Sequence, residues 1–485
     1  MTTALQKQPA PSKEWIETQV PARMDRLPWS SWHWLIVTAL GVTWILDGLE
    51  VTLAGALGPA LKDPGTLGLS DGQVGFTATS YLIGAVIGAL FSGYLTDRFG
   101  RKRLFFITLA VYLAGTALSG FAWNFWSFAM FRALTGAGIG GEYAAINSAI
   151  DELIPARVRG QVDLAINSTY WVGAALGSIL TLYLLNPGRL PLWMGWRLAF
   201  GIGAMLGLIV LVFRQWVPES PRWLMVHGEP GEADKVVDEI ERAVSAKAGP
   251  LPKPEGPPTR VRIRHHTPWR EIWHAIAYEH RRRSILGLAL MASQAFFFNA
   301  ILFSYGLVLA RFYNVSAGKV SAFLLPLALG NALGPILIGR LFDTIGRKPM
   351  IVITYGASGV LLAISGWLFQ LGMLSANQQS LCWMVIFFIA SAAASSAYLT
   401  VSEVFPLEIR ALAISLFFAV GTFVGGVAAP SLFGYIIGTG SRSLLFAGYL
   451  LGAILMIGGA AIEAWLGVKA ERQSLESIAQ PLSAK

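Results

Sequence analysis

Gly-Tyr-Leu-Thr-Asp-Arg-Phe-Gly-Arg-Lys-Arg, at residues 93–103, returns 246 residues later as Gly-Arg-Leu-Phe-Asp-Thr-Ile-Gly-Arg-Lys-Pro, at residues 339–349. A second motif, Glu-x-x-Pro-x-x-x-Arg at residues 152–159, returns at residues 403–410. In each half of the chain, the first motif falls between the second and third apolar runs, and the second motif between the fourth and fifth. The sequence therefore predicts two halves of one design in the same orientation, an arrangement that suits rocking about a central site.

The runs between these motifs are long and apolar enough for membrane helices. Of the 485 residues, 54% are hydrophobic and 13% are charged, whereas a soluble domain carries about 25% charged residues. A spanning helix needs about 20 apolar residues. Twelve helices are predicted, at 32–59, 73–96, 104–122, 126–150, 160–186, 195–217, 284–311, 317–341, 350–371, 380–402, 411–437 and 443–466. The predicted fold is an all-α membrane protein with twelve transmembrane helices in two pseudo-symmetric six-helix bundles.

The domain boundaries and the orientation follow from the same runs. The predicted order is a tail at 1–31, a bundle at 32–217, a linker at 218–283 with an amphipathic helix at 232–244, a bundle at 284–466 and a tail at 467–485. Lys and Arg concentrate in the loops that share a side with the linker and both tails. By the positive-inside rule, we expect a multi-pass protein of the cell (plasma or inner) membrane with both termini in the cytoplasm.

Several classes of protein are disfavoured. The formal charge of +9 is spread between apolar runs, so no nucleic-acid partner is expected. The single cysteine, Cys382, excludes a disulfide framework, and the absence of a Walker loop disfavours an ATP-driven pump. Residues 250–268 are rich in proline and are predicted to be disordered, and the paired histidines at 265–266 are a weak metal signal. We expect no enzyme activity, no catalytic residue, no metal and no cofactor, with a proton gradient as the driving force.

The motifs resemble those of the major facilitator superfamily over nearly the whole chain. The resemblance is carried by the repeated loop, by Arg132-x-x-x-Gly136-x-Gly138-x-Gly140 and by Pro-Glu-Ser-Pro-Arg-Trp-Leu at residues 218–224. It implies a secondary transporter that works by alternating access, similar to sugar porters and metabolite:proton symporters.

The charges of the repeated loops are predicted to form gates that lock the outward-open state and separate when the halves rock. The alternative is that these charges only enforce the membrane topology. The predicted gating residues are Asp97, Arg98, Arg101, Glu152, Arg159, Asp343, Arg347, Glu403 and Arg410.

Proton coupling is predicted at Asp47 and Glu50 in the first helix. Charges inside a span are costly and are therefore functional candidates. A spacing of three residues places both carboxylates on one helix face, where they repel each other and resist ionisation. Arg132 in the fourth helix is the natural counter-charge. The Asp-Gly-Leu-Glu run resembles the D-G-x-D motif of aromatic-acid and metabolite proton symporters; the alternative is a static bridge between Glu50 and Arg132.

The predicted substrate site draws on the fourth, fifth, seventh and tenth helices. Residues Asn167 and Tyr170 belong to a polar and aromatic stripe. Gln294 and Asn299 lie about 140° apart on an ideal helix, so both reach one cavity only if the helix is broken between them. The alternative for these amides is interhelical hydrogen bonding. The predicted substrate-binding residues are Glu142, Asn167, Tyr170, Gln294, Phe298, Asn299 and Tyr398.

The resemblance favours an organic-acid carrier over a hexose carrier. The Gly-Pro-x-Pro-Trp run of sugar porters is absent, and Tyr398 begins a Tyr-x-x-x-x-Glu-x-x-Pro pattern that resembles niacin-type and metabolite transporters. We expect proton-coupled symport of a small polar metabolite, an organic acid. The alternatives are sugar:proton symport, organic cation or drug efflux, and a non-transporting sensor. The expected partners are the substrate, protons and membrane lipid around the basic residues 281–283, and the protein is expected to be a monomer.

Overall fold

The computed structural model describes residues 15–186, 188–254, 258–263, 268–302, 304–315 and 317–482. Within this part of the chain, twelve membrane-spanning helices form two bundles of six. The first bundle contains α1 Ser31–Ala56, α2 Asp71–Phe99, α3 Arg101–Gly120, α4 Phe125–Leu153, α5 Arg159–Leu184 and α6 Leu192–Arg214. The second contains α7 Arg281–Leu302, α8 Ala317–Thr344, α9 Arg347–Gln370, α10 Ala376–Val404, α11 Arg410–Gly421 and α12 Arg442–Leu466.

Ten of these helices are long and apolar enough to cross a membrane in the part of the chain that the structure describes. The other two, α4 and α5, are equally long, but they carry more polar and charged side chains along their buried faces.

Two predicted helices are interrupted. The helix predicted at 284–311 ends at Leu302, and a short helix, Tyr305–Tyr313, follows it. The Ser304 hydroxyl donates to the carbonyl of Ala300, a side-chain bond that bends helices. The helix predicted at 411–437 passes from α11 through a π-helical segment, Thr422–Val427, into Ala428–Gly438.

The glycines of the repeated loop take a conformation that other residues rarely adopt. Gly100 has a φ of 93° and Gly346 a φ of 123°, and each separates two consecutive helices, α2 from α3 and α8 from α9. A side chain would strain the backbone at both positions. The tight turn predicted from the sequence motif is therefore present in both halves.

Both ends of the described chain pack at one end of the bundle, together with the linker; we call this the tail end. The strand β1, Trp15–Thr18, pairs antiparallel with the strand β2, Thr259–Arg262. The prediction of disorder is thus wrong for residues 259–262, because a distant segment supplies the missing backbone partners. The paired histidines at 265–266 lie outside the described residues.

The linker contains three helices, Pro221–Val226, Pro230–Ala248 and Trp269–His274, the last of which continues as a π-helical turn, Ala275–Glu279. Short helices also occupy Val20–Asp25, Gly58–Lys62 and Leu475–Ile478. The helix Pro230–Ala248 covers the predicted amphipathic stretch and buries its apolar side chains, Ala233, Val237, Ile240 and Val244.

The N-terminal segment is held to the linker by charge. The Arg23 guanidinium contacts Asp234 at 3.2 Å, Asp238 at 2.5 Å and Glu241 at 2.8 Å, and Arg26 contacts Glu241 at 2.5 Å. We call these five residues the clasp. They fasten residues 15–27 to the acidic face of the helix Pro230–Ala248.

The clasp is expected to weaken in acid. Burial would raise the pKa of Glu241, but hydrogen bonds from Arg23 and Arg26 outweigh it and hold the pKa below its usual value of 4.5. A carboxylate whose pKa is lowered by folding stabilises the folded state at a pH above its usual pKa, here 4.5. That stabilisation is lost as the pH falls through the lowered pKa. At pH 7, Glu241→Gln should increase amide hydrogen exchange of Trp15–Thr18 several-fold.

The control for the clasp is Glu239→Gln, which changes an exposed acid on the same helix. This variant should leave the protection of Trp15–Thr18 unchanged. At a pH below the lowered pKa of Glu241, the protection factors of Trp15–Thr18 should be the same in the wild type and in Glu241→Gln. Equal protection at pH 7 would show that the clasp does not hold the strand.

Candidate functional site

At the tail end, each bundle caps a helix of the other. The Asp97 carboxylate of α2 accepts from the backbone amides of Ala411 at 3.3 Å and Leu412 at 3.0 Å, at the start of α11. In the same way, Asp343 of α8 accepts from two amides at the start of α5, Gly160 at 3.2 Å and Gln161 at 2.6 Å. Helix N-termini favour carboxylates, so the two acids tie the halves together with twofold symmetry.

Buried arginines from both halves complete this layer. Arg101 reaches Glu152 within its own bundle at 2.8 Å, and Arg410 of the other bundle reaches the same oxygen at 3.3 Å. Arg159 approaches Glu403 across the interface at 3.7 Å. Each glutamate therefore meets an arginine from both halves.

Arg347 makes the corresponding contacts in the second half. Its guanidinium contacts Glu403 at 3.0 Å and Asp343 at 2.7 Å. The structure thus brings eight of the nine predicted gating residues together, and we call them the charge layer: Asp97, Arg101, Glu152, Arg159, Asp343, Arg347, Glu403 and Arg410. Arg98 lies outside it, exposed, with its guanidinium 5.3 Å over the Phe99 ring.

The tails and the linker support the charge layer with residues that sequence reasoning had not assigned. Glu219 accepts from the backbone amides of Arg101 at 2.8 Å and Lys102 at 3.2 Å, and burial raises its pKa. Arg222 donates to the Glu152 carbonyl at 2.6 Å and to Glu476 at 2.9 Å. The Pro-Glu-Ser-Pro-Arg motif was the available signal, since it contains both Glu219 and Arg222.

Inside the first bundle, Glu50 of α1 contacts Arg132 of α4, as the sequence predicted. Asp47 lies one turn away on α1, and neither of its oxygens has a hydrogen-bond partner. Both carboxylates have no exposed surface. The structure therefore places one acid paired with an arginine and one without a hydrogen-bond partner in the buried interior of the first bundle.

A second buried pair joins Glu142 of α4 to Arg214 of α6. Glu142 was predicted to bind the substrate, and its carboxylate is fully buried against Arg214. Arg214 also donates to the Phe105 carbonyl at 2.5 Å and to Thr43 at 3.3 Å. Sequence reasoning missed Arg214, although a cation inside the apolar run 195–217 was the signal that could have identified it.

Aromatic rings form a continuous group between the two bundles. From the first bundle, Tyr143 stacks on Trp44 at 4.7 Å, and Tyr170 approaches Trp44 edge-on at 6.4 Å. Across the interface, Tyr143 lies 6.4 Å from Tyr398 of α10 and 4.7 Å from Phe418 of α11. We call these five side chains the aromatic group; only Tyr170 and Tyr398 were predicted from the sequence.

Phe298 extends the aromatic lining along α7. Its ring lies 6.2 Å from that of Trp171 in the first bundle and 4.9 Å from that of Phe387 on α10. The predicted residue therefore sits at the boundary between the two halves, half-buried, where a bound molecule could reach it.

The side-chain amides predicted to bind the substrate differ in their placement and contacts. Asn167 donates to the Asp163 carboxylate at 3.1 Å, and Asn299 donates to the Ala295 carbonyl at 2.7 Å. The helix α7 is unbroken between Gln294 and Asn299, so the break that would turn both toward one cavity is absent. No cluster of His, Cys, Asp or Glu in the described part of the chain could hold a metal ion.

Comparison of the sequence with known proteins finds matches to transporters. Residues 49–480 match the family described as sugar (and other) transporter. The niacin transporter NiaP of Acinetobacter baylyi is 27% identical over 461 residues, with 94% of this chain and 99% of the relative covered. The gallate transporter of Pseudomonas putida is 25% identical, with 90% of each chain covered.

Among solved structures, the proton:xylose symporter XylE with bound 6-bromo-6-deoxy-D-glucose superposes with a TM-score of 0.72 at 19% identity. The match covers 92% of this chain and 98% of that one. The likeness shows a shared fold of two six-helix bundles.

Proposed function

The chain belongs to the sugar (and other) transporter family of the major facilitator superfamily, and we propose that it is a proton-coupled symporter of a small organic acid. It is an integral multi-pass membrane protein. In this proposal, the tail end faces the cytoplasm, as the loop cations indicate, and the electrochemical gradient of protons drives uptake by alternating access. No cofactor takes part.

The observation that carries proton coupling is the arrangement of Asp47, Glu50 and Arg132. Glu50 contacts Arg132, and Asp47 is fully buried without a hydrogen-bond partner. A buried charge without a partner is costly, so these acids exchange protons as their surroundings change during transport. In this proposal, separation of Glu50 from Arg132 accompanies proton uptake.

The aromatic group supports a planar substrate. Two of the relatives are named for niacin and gallate, each a carboxylate on an aromatic ring. Stacked and edge-on aromatic pairs contribute about 0.5–1.5 kcal/mol beyond the buried area. Trp44, Tyr143 and Tyr398 offer such surfaces from both bundles, so a ring bound between them would couple the halves. We therefore propose an aromatic or similarly flat organic acid as the substrate.

Replacing Glu50 by Gln tests the coupling. In proteoliposomes with an imposed pH gradient, the wild type should accumulate labelled nicotinate or gallate. Glu50→Gln should lose that accumulation, because an amide cannot take up and release a proton. Counterflow exchange without a gradient should remain, because it needs no net proton movement.

The control for this experiment is Glu239→Gln, which changes an exposed acid and should behave as the wild type. Labelled xylose, used as a second probe, tests the alternative of sugar transport. Proton-driven accumulation that survives Glu50→Gln would disprove the role of Glu50. Accumulation of xylose alone would favour the sugar alternative, and binding without movement of any probe would favour a sensor.

A further inference from the structure

Where α1, α4 and α6 meet inside the first bundle, the carboxylates of Asp47, Glu50 and Glu142 lie near the guanidinium groups of Arg132 and Arg214. Glu50 contacts Arg132, and Glu142 contacts Arg214. Asp47, on the same face of α1 as Glu50, is left over: it has no exposed surface and no hydrogen-bond partner for either oxygen. The two cations therefore neutralise two of the three acids.

The charge count assigns a proton to Asp47. An ionised carboxylate in a buried interior is unfavourable unless a cation or several donors compensate it. The other titratable groups near Asp47 are phenols, namely Tyr81 of α2, Tyr112 of α3, Tyr143 of α4 and Tyr170 of α5. A phenol carries no positive charge, so Asp47 is neutral while both arginines stay with their glutamates.

Arg214 lies where it can serve either acid. Its guanidinium contacts Glu142 and donates to the Thr43 hydroxyl at 3.3 Å. Thr43 precedes Asp47 by four residues on α1, and residues four apart are neighbours on one helix face. The contact with Thr43 therefore places the Arg214 guanidinium beside the face of α1 that carries Asp47.

We propose that Arg214 exchanges between Glu142 and Asp47, so that a proton taken up by Asp47 leaves the protein through Glu142. Asp47 loses its proton and becomes a carboxylate that pairs with Arg214. Glu142, released by Arg214, gains a proton and becomes neutral. The net charge of the three groups is unchanged by this step. The proposal deepens the proposed function and rests on it for the direction of proton flow.

Position along the membrane supports this role. Arg132 and Glu142 are ten residues apart on α4, which corresponds to about 15 Å along a helix axis. Glu142 lies on the side of the tail end, and Glu50 with Arg132 on the opposite side. The three acids therefore form a path through the first bundle that runs beside the aromatic group, since Tyr143 and Tyr170 lie near Asp47.

Infrared spectroscopy of the purified protein, titrated with pH, tests the exchange without any substrate. The wild type should show a protonated-carboxyl band that disappears as the pH rises and that is absent in Asp47→Asn. In Glu142→Gln, Arg214 is free to pair with Asp47, so the midpoint of the band should move to lower pH. In the double variant Glu142→Gln/Arg214→Gln, that cation is missing, and the midpoint should move to higher pH by about one to three units.

The double variant removes both members of a buried pair and so leaves no uncompensated charge that would prevent folding. Opposite shifts in the two variants support the exchange. A midpoint that is the same in the wild type and both variants would overturn it, and Glu142–Arg214 would then be a static bridge.

Transport separates this proposal from the proposed function. With nicotinate or gallate as the probe, the double variant should lose proton-driven accumulation at least tenfold and keep counterflow exchange. If the wild type accumulates the probe and the double variant does so equally, the exchange is wrong while symport stands. If the wild type accumulates neither probe under a pH gradient, the proposed function fails, and the infrared titration still decides the pairing of Arg214.

Discussion

Replacing Glu152 by Gln is expected to shift the protein from a closed to an open tail end and to slow net transport by about 100-fold or more, since removing one partner of a buried ion pair costs about 3–5 kcal/mol. The Glu152 carboxylate holds Arg101 at 2.8 Å and Arg410 at 3.3 Å. Both arginines are buried when the tail end is closed. Without the carboxylate, they regain hydration only when the halves separate.

Distances between spin labels measure this shift. Phe99 and Ile345 are exposed and lie at the ends of α2 and α8, one in each half. Cysteines at these positions, in a background with Cys382→Ala, allow pulsed electron paramagnetic resonance to follow the separation of the halves. Glu152→Gln should populate distances longer than those of the wild type.

The matched control is Arg98→Gln, which removes a charge at the end of α2, at the same end of the bundle but outside the charge layer. It should leave both the distance distribution and the transport rate unchanged. An unchanged distribution in Glu152→Gln would mean that the charge layer only enforces topology, which is the alternative weighed from the sequence. Equal effects of Glu152→Gln and Arg98→Gln would indicate a general response to the loss of charge at the tail end.

Gly140→Leu is expected to prevent the stable packing of α2 on α4. A Cβ atom at Gly140 would fall on the carbonyl oxygen of Ala85, a backbone atom that cannot rotate away. Overpacking a well-packed site costs about 1–3 kcal/mol and occasionally more. Close approach of backbones at small residues holds membrane helices together, so the two helices have no alternative contact to adopt.

Thermal unfolding of the detergent-purified protein measures this effect. Gly140→Leu should lower the melting temperature strongly or abolish the folded yield. Gly201→Leu is the control, because Gly201 of α6 is exposed and has no atom within 4 Å of an added Cβ. The control should melt at or slightly above the wild-type temperature, since leucine is a better helix former than glycine by up to about 1 kcal/mol. Equal melting temperatures would show that α2 and α4 can separate without loss of stability.

Most of the fold was predictable from local patterns. Apolar runs located the twelve helices, and the repeated loops placed Gly100 and Gly346 at equivalent turns. The pairing of Glu50 with Arg132 was also predictable, because a charge in an apolar run needs a partner of opposite sign. These features depend on composition and spacing, which the chain displays directly.

Contacts between distant residues were not predictable in the same way. The sequence marked Asp97 as a gate residue, yet its actual partners are backbone amides at the start of α11, and an amide has no side-chain signature. The strand Trp15–Thr18 was missed because it finds its partner some 240 residues away. The contact between Glu142 and Arg214 was missed because the two residues sit in different helices.

The amino-acid order alone determined that this protein is a duplicated twelve-helix membrane bundle with buried acids in its first helix, since hydrophobic length and repeated motifs are properties of the linear chain. The tertiary structure decided which acids are paired with arginines, which lack a hydrogen-bond partner, and which aromatic rings meet between the halves. Those outcomes depend on the rotation of each helix against its neighbours, and in a bundle that rotation is set by the packing of all the helices together.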